Sequence, residues 1–292
     1  MRLFGRFLAA ASVAMALATG AASAQDKKLR LGTEGAYPPF NYANADGTLG
    51  GFDIDLGKAL CAEMKTECEF VVQDFDGSIP ALQAGKFDAI INITITPERA
   101  EKVDFTHKYY QTPPAIAVPK DSTVIGTSPE DLKGKALGVQ SATIHQNFAE
   151  QKYAGSTIKP YPTGDDARTD MVNGRLDAVM DGSILLTEWL EKPEGACCKL
   201  LGTLAPDPAI HGPGVGIALQ KGNKALAQKL DAAIDALRAN GKYKEINDKY
   251  FALTSTASRR KAHRAPTSTI GEARTALPLL QQHRRASPHF PA

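Results

Sequence analysis

The sequence has few of the residues that mark membrane-spanning, metal-binding and nucleophilic proteins. Its 292 residues include 4 Cys, 6 His and 1 Trp. The apolar run Phe7 to Leu17 is too short to span a bilayer, and no later segment is better suited. Cys61 and Cys68 lack the close spacing and the nearby His of a zinc site. No Ser/His/Asp or Cys/His constellation for nucleophilic catalysis is evident. With 43% hydrophobic and 23% charged residues, a soluble folded protein of one or two domains is expected.

Positive charge is scarce in the body of the chain. The net charge of +2 hides an uneven distribution, because the first 24 residues carry +2 and the last 39 carry +6, which leaves residues 25–253 at −6. Nucleic-acid binding depends on clustered Lys and Arg, so nucleic acid is not an expected partner. Residues 254–292 lack periodicity and are rich in Ser, Thr, Arg, Pro and His, which predicts a disordered basic tail. A basic interaction arm is the alternative for this tail.

The first 24 residues have the pattern of a cleaved secretory signal. Arg2 and Arg6 precede the apolar run, and Ala22-Ser23-Ala24 closes the segment. An N-terminal membrane anchor is the alternative. An exported chain meets an oxidising compartment, so Cys61 and Cys68 can be bridged, which would stabilise the fold by about 2 to 3 kcal/mol. The adjacent Cys197 and Cys198 are expected to be two thiols.

Short apolar runs alternate with helical patterns from residue 28 onward, which is typical of an α/β protein. Leu29 to Gly32 is a predicted strand, and Asp53 is predicted to cap a helix that leads into a strand at Cys68 to Val72. The segments Leu82–Asn92 and Met171–Asp181 match each other, 89 residues apart. In each, a helix ends at Gly, and Asp-Ala then opens an apolar strand. Chance similarity is the alternative to a duplication into two similar lobes.

Two proline-rich passages separate the expected lobes. Paired prolines in Gln111–Pro114 forbid a helix, and Ala205–Gly214 precedes a predicted strand, Val215–Leu219, and a long helix, Lys224–Asn240. Two crossings would allow the lobes to rotate about a hinge and close on a ligand. The expected divisions are lobe 1 in 25–110 and 213–253, lobe 2 in 115–204, and hinge segments in 111–114 and 205–212.

Four strings occur in order along the chain: Gly32-Thr-Glu-Gly-Ala-Tyr-Pro-Pro-Phe40, Gly51-Phe-Asp-Ile-Asp-Leu56, Thr94-Ile-Thr-Pro-Glu-Arg99 and Gly214-Val-Gly-Ile217. Together they resemble the extracytoplasmic amino-acid-binding proteins of ABC importers over roughly residues 28 to 251. The likeness is nearest to lysine/arginine/ornithine, histidine and octopine/nopaline binders, some of which share a bridge at the positions of Cys61 and Cys68.

The resemblance implies a type II periplasmic-binding-protein fold, in which two α/β lobes joined by a two-stranded hinge close on one amino acid. It also implies a periplasmic monomer that delivers its ligand to the membrane permease subunits of an ABC transporter. A cyclohexadienyl or arogenate dehydratase on the same fold is the alternative function, and a receptor sensor domain is a third. No cofactor and no metal are expected.

An amino acid presents a carboxylate and an ammonium group, and a closed cleft must pair both because an unmatched buried charge is costly. Arg99 suits the carboxylate, and Thr94 can add a donor. Asp181 suits the ammonium group, and the family places its clamp on the positions that match these residues. Thr143 offers a hydroxyl or an N–H group at a helix start, and Ile144 offers only its backbone. A capped helix with a solvated Arg99, and a helix N-cap at Asp181, are the alternatives.

Ligand selectivity is expected from Glu34, Tyr37, Phe75, Gln140 and His145. The two aromatic residues match stacking positions of the family, and Glu34 favours a cationic side chain because a neutral ligand would leave this carboxylate unpaired. Core packing of Phe75 and a solvated surface Glu34 are the alternatives. His145 is expected either to form part of the wall of the site or to lie on a helix surface, and not to bind a metal, because no second ligand follows at i+3 or i+4.

Two departures from the family pattern affect the expected site. Asn92 is placed at the carboxyl end of its strand, facing the cleft, where relatives have Gly or Ser, so ligation by its backbone is in doubt. Asp181 follows a strand that is one residue shorter than in some relatives, which could move its carboxylate.

Overall fold

The computed structural model describes residues 28–251. The predicted signal segment 1–24 and the predicted tail 254–292 lie outside the described residues. Within residues 28–251, every helix is too short or too polar to cross a membrane.

The strands of this range are, in chain order, β1 (Leu29–Thr33), β2 (Ala36–Tyr37), β3 (Asn41–Ala43), β4 (Leu49–Gly50), β5 (Cys68–Val72), β6 (Ala89–Thr94), β7 (Val103–Phe105), β8 (Pro114–Pro119), β9 (Ala136–Gln140), β10 (Thr157–Tyr161), β11 (Ala178–Gly182), β12 (Cys198–Thr203) and β13 (Val215–Gln220). The helices are α1 (Phe52–Glu63), α2 (Ser78–Gln83), α3 (Pro97–Lys102), α4 (Ile144–Lys152), α5 (Gly164–Val172), α6 (Ser183–Leu190), α7 (Pro208–His211) and α8 (Lys224–Ala239). Short 3-10 turns occur at Phe75–Gly77 and Pro193–Gly195, and residues 242–251 are helical.

Two five-stranded sheets organise the chain into two lobes. Lobe 1 is built on the sheet with strand order β5-β1-β6-β13-β7, and lobe 2 on the sheet with order β10-β9-β11-β8-β12. In each sheet the first three strands are parallel, and a fourth strand runs antiparallel to them. The chain passes from one sheet to the other between β7 and β8 and returns between β12 and β13. This is the predicted arrangement of two α/β lobes joined by two crossings, whereas the predicted division points stay predictions.

The repeated segment has the same role in both lobes. It supplies β6 beside β1 in lobe 1 and β11 beside β9 in lobe 2, with parallel pairing in each case. At the start of the strand, the carboxylate of Asp88 accepts the main-chain N–H of Arg30 at 3.0 Å. The matching Asp177 accepts the main-chain N–H of Ala136 at 2.7 Å. The shared Asp-Ala pair therefore joins its strand to the neighbouring strand in the same way twice, which favours duplication over chance.

Each lobe has its own apolar core. In lobe 1, α1 and α8 cover one face of the sheet and bury Phe52 and Leu230 completely. In lobe 2, Val118 and Leu137 lie at the centre of a cluster on one face of the sheet. Burial of each such side chain contributes about 1.5 to 3 kcal/mol relative to exposure. Because each lobe has its own core, each can move as a unit about the connecting segments.

The predicted disulfide is present between α1 and the start of β5. Cys61 and Cys68 are bonded, with their Cα atoms 6.0 Å apart. Cys197 is a free, exposed thiol, and Cys198 is free and buried.

The predicted capping role of Asp53 is wrong. Gly51 occupies the N-cap of α1, and no side chain caps this helix end. Gly51 has φ of 118° and lies against the backbone of Phe40, so a residue with a Cβ atom would be both strained and crowded there. The side chain of Asp53 is fully buried and points to hydrogen-bond donors under the cleft.

Candidate functional site

The candidate site is a cavity between the two lobes. Open α/β sheets bind ligands at the carboxyl ends of their strands, and β6 and β11 both end at this cavity. All eleven residues predicted from the sequence to contact a ligand line it: Glu34, Tyr37, Phe75, Asn92, Thr94, Arg99, Gln140, Thr143, Ile144, His145 and Asp181. The fold thus brings the predicted set together, although their contacts with a ligand stay predictions.

The lobes touch each other across this cavity through hydrogen bonds. Gln140 of lobe 2 donates through Nε2 to Oε1 of Glu34 at 2.5 Å. The hydroxyl of Tyr37 in lobe 1 donates to Oδ1 of Asp181 at 3.1 Å. Arg99 of lobe 1 donates through Nη2 to the carbonyl oxygen of Ala142 at 2.9 Å. Polar groups of both lobes therefore meet around one cavity.

Arg99 is a buried cation in the wall of the cavity. It lies on α3, whose N-cap Thr96 accepts the main-chain N–H of Arg99 at 3.2 Å. Its Nη1 donates to the carbonyl oxygen of Thr94 at 3.0 Å, and its guanidinium lies 5.4 Å from the ring centre of Phe75. Within residues 28–251, no carboxylate lies within ion-pair distance of Arg99. The alternative of a solvated side chain fails, since only 8% of the residue is exposed.

Burial lowers the pKa of Arg99 to about 10, because the protein interior solvates a cation less well than water. The guanidinium stays protonated at neutral pH. A buried cation with carbonyl oxygens as its hydrogen-bond acceptors is suited to bind a carboxylate with two parallel hydrogen bonds.

Asp181 lies near the carboxyl end of β11 and is 5% exposed. Its Oδ1 accepts the main-chain N–H of Gly182 at 2.7 Å in addition to the hydroxyl of Tyr37. Its Oδ2 accepts Nη1 of Arg168 at 3.2 Å. The N-cap alternative fails, because Gly182 is the N-cap of α6 and no side chain caps that helix. A carboxylate has about four acceptor positions, so about one is left for a further donor.

Arg168 is a residue that sequence reasoning missed. It lies on α5, is 2% exposed, and forms ion pairs with both Asp181 and Asp165. Its guanidinium lies 5.9 Å from the ring centre of Trp189. Its distance of 13 residues from Asp181 fits no motif, and no sequence pattern could have indicated the contact.

Glu34 is a partly buried carboxylate that follows β1. Within the described residues, Gln140 is its hydrogen-bond donor. The pKa of Glu34 is raised to about 7, mainly by burial; the hydrogen bond from Gln140 opposes the rise, and the negative charge of Asp181 adds to it. Because its carboxylate is partly buried and hydrogen-bonded across the cleft, Glu34 is not a solvated surface residue. A cation beside Glu34 would relieve the cost of its burial.

The start of α4 supplies the second lobe's polar groups. Thr143 is the N-cap of this helix: its hydroxyl accepts the N–H of Gln146 at 3.2 Å and donates to the carbonyl oxygen of Gln140 at 2.7 Å. Because that hydroxyl is occupied, the main-chain N–H groups at Thr143 and Ile144 are the donors of this helix start that suit an anion.

His145 forms part of the cavity wall, as expected. Its Nε2 lies 3.7 Å from Oδ1 of Asp181, and its Nδ1 is buried without a hydrogen-bond partner among residues 28–251. Burial lowers the pKa of His145 to about 4, although Asp181 opposes this shift. The imidazole is therefore neutral at pH 7. Within the described residues, no group of His, Cys, Asp or Glu could hold a metal ion.

Tyr37 and Phe75, the aromatic residues predicted for the site, both pack against other side chains. The ring of Tyr37 stacks on Phe40, with centroids 5.5 Å apart, so one of its faces is covered. Phe75 is partly buried, packs against the lobe 1 core beneath α2, and also lines the cavity beside Arg99. Phe75 therefore takes part in core packing, the alternative given for it, and also lines the cavity, where stacking on a ligand stays a prediction.

Asn92 is held by a polar network beneath the cavity. It has φ of 68°, its N–H donates to the hydroxyl of Tyr109 at 3.0 Å, and its Oδ1 accepts the hydroxyl of Tyr110 at 2.8 Å. Its Nδ2 donates to Asp53 at 2.6 Å, and Asp53 also accepts Nδ2 of Asn41 and the hydroxyl of Tyr109. Burial raises the pKa of Asp53 to about 7, against the effect of these donors. Asn92 is therefore anchored to the segment that leads into the first crossing.

Comparison with known proteins agrees with this geometry. The family of bacterial extracellular solute-binding proteins, family 3, matches residues 29–253. The L-arginine-binding protein of Pseudomonas aeruginosa is 47% identical over 234 residues, which cover 79% of this chain and 90% of that protein. The histidine-binding periplasmic protein of Salmonella typhimurium is 37% identical over 243 residues, which cover 82% of this chain and 93% of that protein.

A solved structure of an ancestral arginine-binding protein bound to arginine is 37% identical, with a TM-score of 0.71 over 77% of this chain and 98% of that chain. These relatives are binding proteins and not enzymes, so the predicted binding role is confirmed and the dehydratase alternative has less support. The predicted type II periplasmic-binding-protein fold is confirmed as well. The chain belongs to family 3 of the bacterial extracellular solute-binding proteins, the amino-acid-binding components of ABC transporters.

Proposed function

We propose that this protein captures a cationic amino acid between its lobes and delivers it to an ABC transporter permease. Arg99 binds the α-carboxylate together with the N–H groups at the start of α4. Asp181 binds the α-ammonium group, and Glu34 binds the positive charge of the ligand side chain. Tyr37 and Phe75 provide aromatic surface beside that side chain.

The observation that carries the proposal is the charge around the cavity. Among the residues that line the cavity, Arg99 is the positive side chain, and Glu34 and Asp181 are the carboxylates. One cation and two carboxylates leave one unit of negative charge at the lining, and behind it Arg168 pairs with both Asp165 and Asp181. A zwitterion with a cationic side chain carries one unit of positive charge, so it matches this site, whereas a neutral amino acid leaves a carboxylate unpaired.

The relatives support the same ligand class, since two of the similar proteins bind arginine by name and one binds histidine. Arginine, ornithine and lysine fit the charge balance, and histidine fits it when protonated. Opines such as octopine carry a second carboxylate, which cancels the extra positive charge, so they fit the charge balance less well and enter as test ligands. The relatives' names do not separate these ligands for this chain.

The mechanism of capture is closure about the two crossings, proposed at 111–114 and 205–212. A ligand shifts the lobes toward closure only if it binds the closed form more tightly than the open form. Arg99 of lobe 1 and Asp181 of lobe 2 meet this condition, because they grip opposite ends of one molecule only when the cleft is shut. Residues 1–24 are proposed to direct export to the periplasm, where the protein acts as a monomer without nucleic acid.

The direct test is calorimetry of the protein without residues 1–24, after unfolding and refolding to remove any bound ligand. The panel contains L-arginine, L-ornithine, L-lysine, L-histidine, octopine and L-citrulline, the neutral analogue of arginine. We expect at least one cationic amino acid to bind well above citrulline. Tighter binding of citrulline than of every cationic ligand would contradict the proposal, as would dehydration of prephenate or arogenate by the purified protein.

A further inference from the structure

The carboxylate of Asp181 is supported from the side of α5. Asp181 lines the ligand cavity, whereas Arg168 lines a separate surface groove together with Asp165 and Trp189. The guanidinium of Arg168 contacts Oδ2 of Asp181, while the opposite oxygen, Oδ1, accepts from Tyr37 across the cleft. Oδ1 also accepts the main-chain N–H of Gly182. The two oxygens therefore have different partners, and Arg168 is the partner of Oδ2.

A glycine at the start of α5 leaves room for this ion pair. A Cβ atom on Gly164 would lie 2.8 Å from Oδ2 of Asp181 and 3.1 Å from Nη1 of Arg168. Both distances are shorter than ordinary van der Waals contact. Gly164 is the first residue of α5, and its backbone is not in the left-handed region. Close approach of the ion pair, and not backbone conformation, is therefore the reason for glycine here.

We propose that Arg168 is a positioning residue, which with Gly164 fixes the orientation in which the Asp181 carboxylate is presented to the ammonium group of the ligand. This inference rests on the proposed function, in which Asp181 binds that ammonium. A carboxylate rotates readily about its bond to Cβ, and the bond from Arg168 restricts this rotation. Asp165 offsets the charge of Arg168, so the support does not remove the attraction between Asp181 and a cation.

The test compares two ligands that differ only in the ammonium group: L-arginine and 5-guanidinopentanoate, which lacks it. Arg168→Met keeps much of the side-chain volume and removes the donor to Asp181. Gly164→Ala keeps every charge and displaces the ion pair, and it retains the helix because alanine is a good helix former. Arg175→Met is the matched control, since Arg175 is an exposed arginine paired with Asp170.

We expect Arg168→Met to weaken arginine binding by about 10-fold or more, with a change of less than about 3-fold for 5-guanidinopentanoate. Gly164→Ala should shift the ratio of the two affinities in the same direction by a smaller factor, and Arg175→Met should leave it unchanged. A merely structural role would weaken both ligands alike. If Arg168→Met does not fold, or if the two variants give different results, the ratio of the two affinities in Gly164→Ala decides whether the inference holds.

An unchanged ratio, or tighter binding of arginine, in the deciding variant would overturn the inference. The proposed function has its own failure signal in the same experiment. If the unmodified protein binds arginine and 5-guanidinopentanoate equally, the role of Asp181 fails, and the positioning role of Arg168 falls with it. If the unmodified protein prefers arginine and the variants keep that preference, only the positioning role fails.

Discussion

Replacement of Glu34 by Gln tests whether charge selects the ligand. The amide of Gln has nearly the same shape as the carboxylate, and its oxygen can still accept from Gln140, so the hydrogen bond between the lobes is retained. What is removed is the negative charge beside the ligand side chain. The variant therefore separates electrostatic selection from closure of the cleft.

The size of the effect follows from the burial of the carboxylate. A hydrogen bond to a charged group contributes about 1.5 to 3 kcal/mol, which corresponds to a loss of roughly 10- to 150-fold in affinity for arginine. Citrulline has the shape of arginine without its charge, so its affinity should change by less than about 3-fold. Glu245→Gln is a matched control, because Glu245 is exposed and pairs with Lys242 outside the cavity.

The pH dependence provides a second readout of the same group. Burial raises the pKa of Glu34 to about 7 in this form of the protein, and a bound cation would lower it. Glu34 then loses a proton on binding, so the affinity for arginine should rise as the pH increases from 6 to 8. Calorimetry at several pH values should show this rise in the unmodified protein and not in Glu34→Gln. Equal losses for arginine and citrulline, or an unchanged pH dependence, would refute the assigned role.

Three further variants test other parts of the site. Arg99→Met should weaken every amino acid by about 30-fold or more in calorimetry, because the ligand carboxylate is left buried without a cation. Gly182→Ala should lower all affinities and favour the open form in small-angle scattering, since its Cβ would lie 2.9 Å from the hydroxyl of Tyr37. Asp53→Asn should lower the free energy of unfolding by about 1 to 3 kcal/mol in urea titrations, because three donors would meet an amide with one acceptor oxygen. Because the pKa of Asp53 is raised, the folded form binds more protons than the unfolded form between about pH 4 and 7. The free energy of unfolding of the unmodified protein should therefore fall as the pH rises through this range. The fall should be smaller in Asp53→Asn.

The elements that the sequence predicted well have a local signal. The strands at Leu29, Cys68 and Val215 follow apolar runs, and α8 follows an apolar period of 3.6 residues. The positions of Asn92 and Asp181 were also predictable from a local signal, because the repeated segment places both residues at equivalent strand ends. Family resemblance then supplied the roles that periodicity alone does not contain.

The contacts that the sequence did not predict join distant positions. Arg168 reaches Asp181 across 13 residues, and Tyr110 reaches Asn92 across 18. Neither pair lies within one helix or one strand, so only the folded chain brings these groups together. Asp53 illustrates the opposite error. It has the residue type and position of a helix cap, yet the buried donors of Asn92 and Tyr109 take its side chain away from the helix end.

The two lobes use the same duplicated segment for different purposes. Asn92 and Asp181 occupy equivalent strand ends, 89 residues apart, and the same spacing relates Ile79 on α2 to Arg168 on α5. In lobe 1 the strand end is the neutral amide of Asn92, which is bound by Asp53 and Tyr110 beneath the cleft, and the equivalent helix position is the apolar Ile79. In lobe 2 the strand end is the carboxylate of Asp181, and the equivalent helix position is the buried Arg168. At Asp181 this arginine offsets the cost of the buried carboxylate. The repeated strand end therefore anchors the first crossing in lobe 1, whereas in lobe 2 it presents a carboxylate to the cavity.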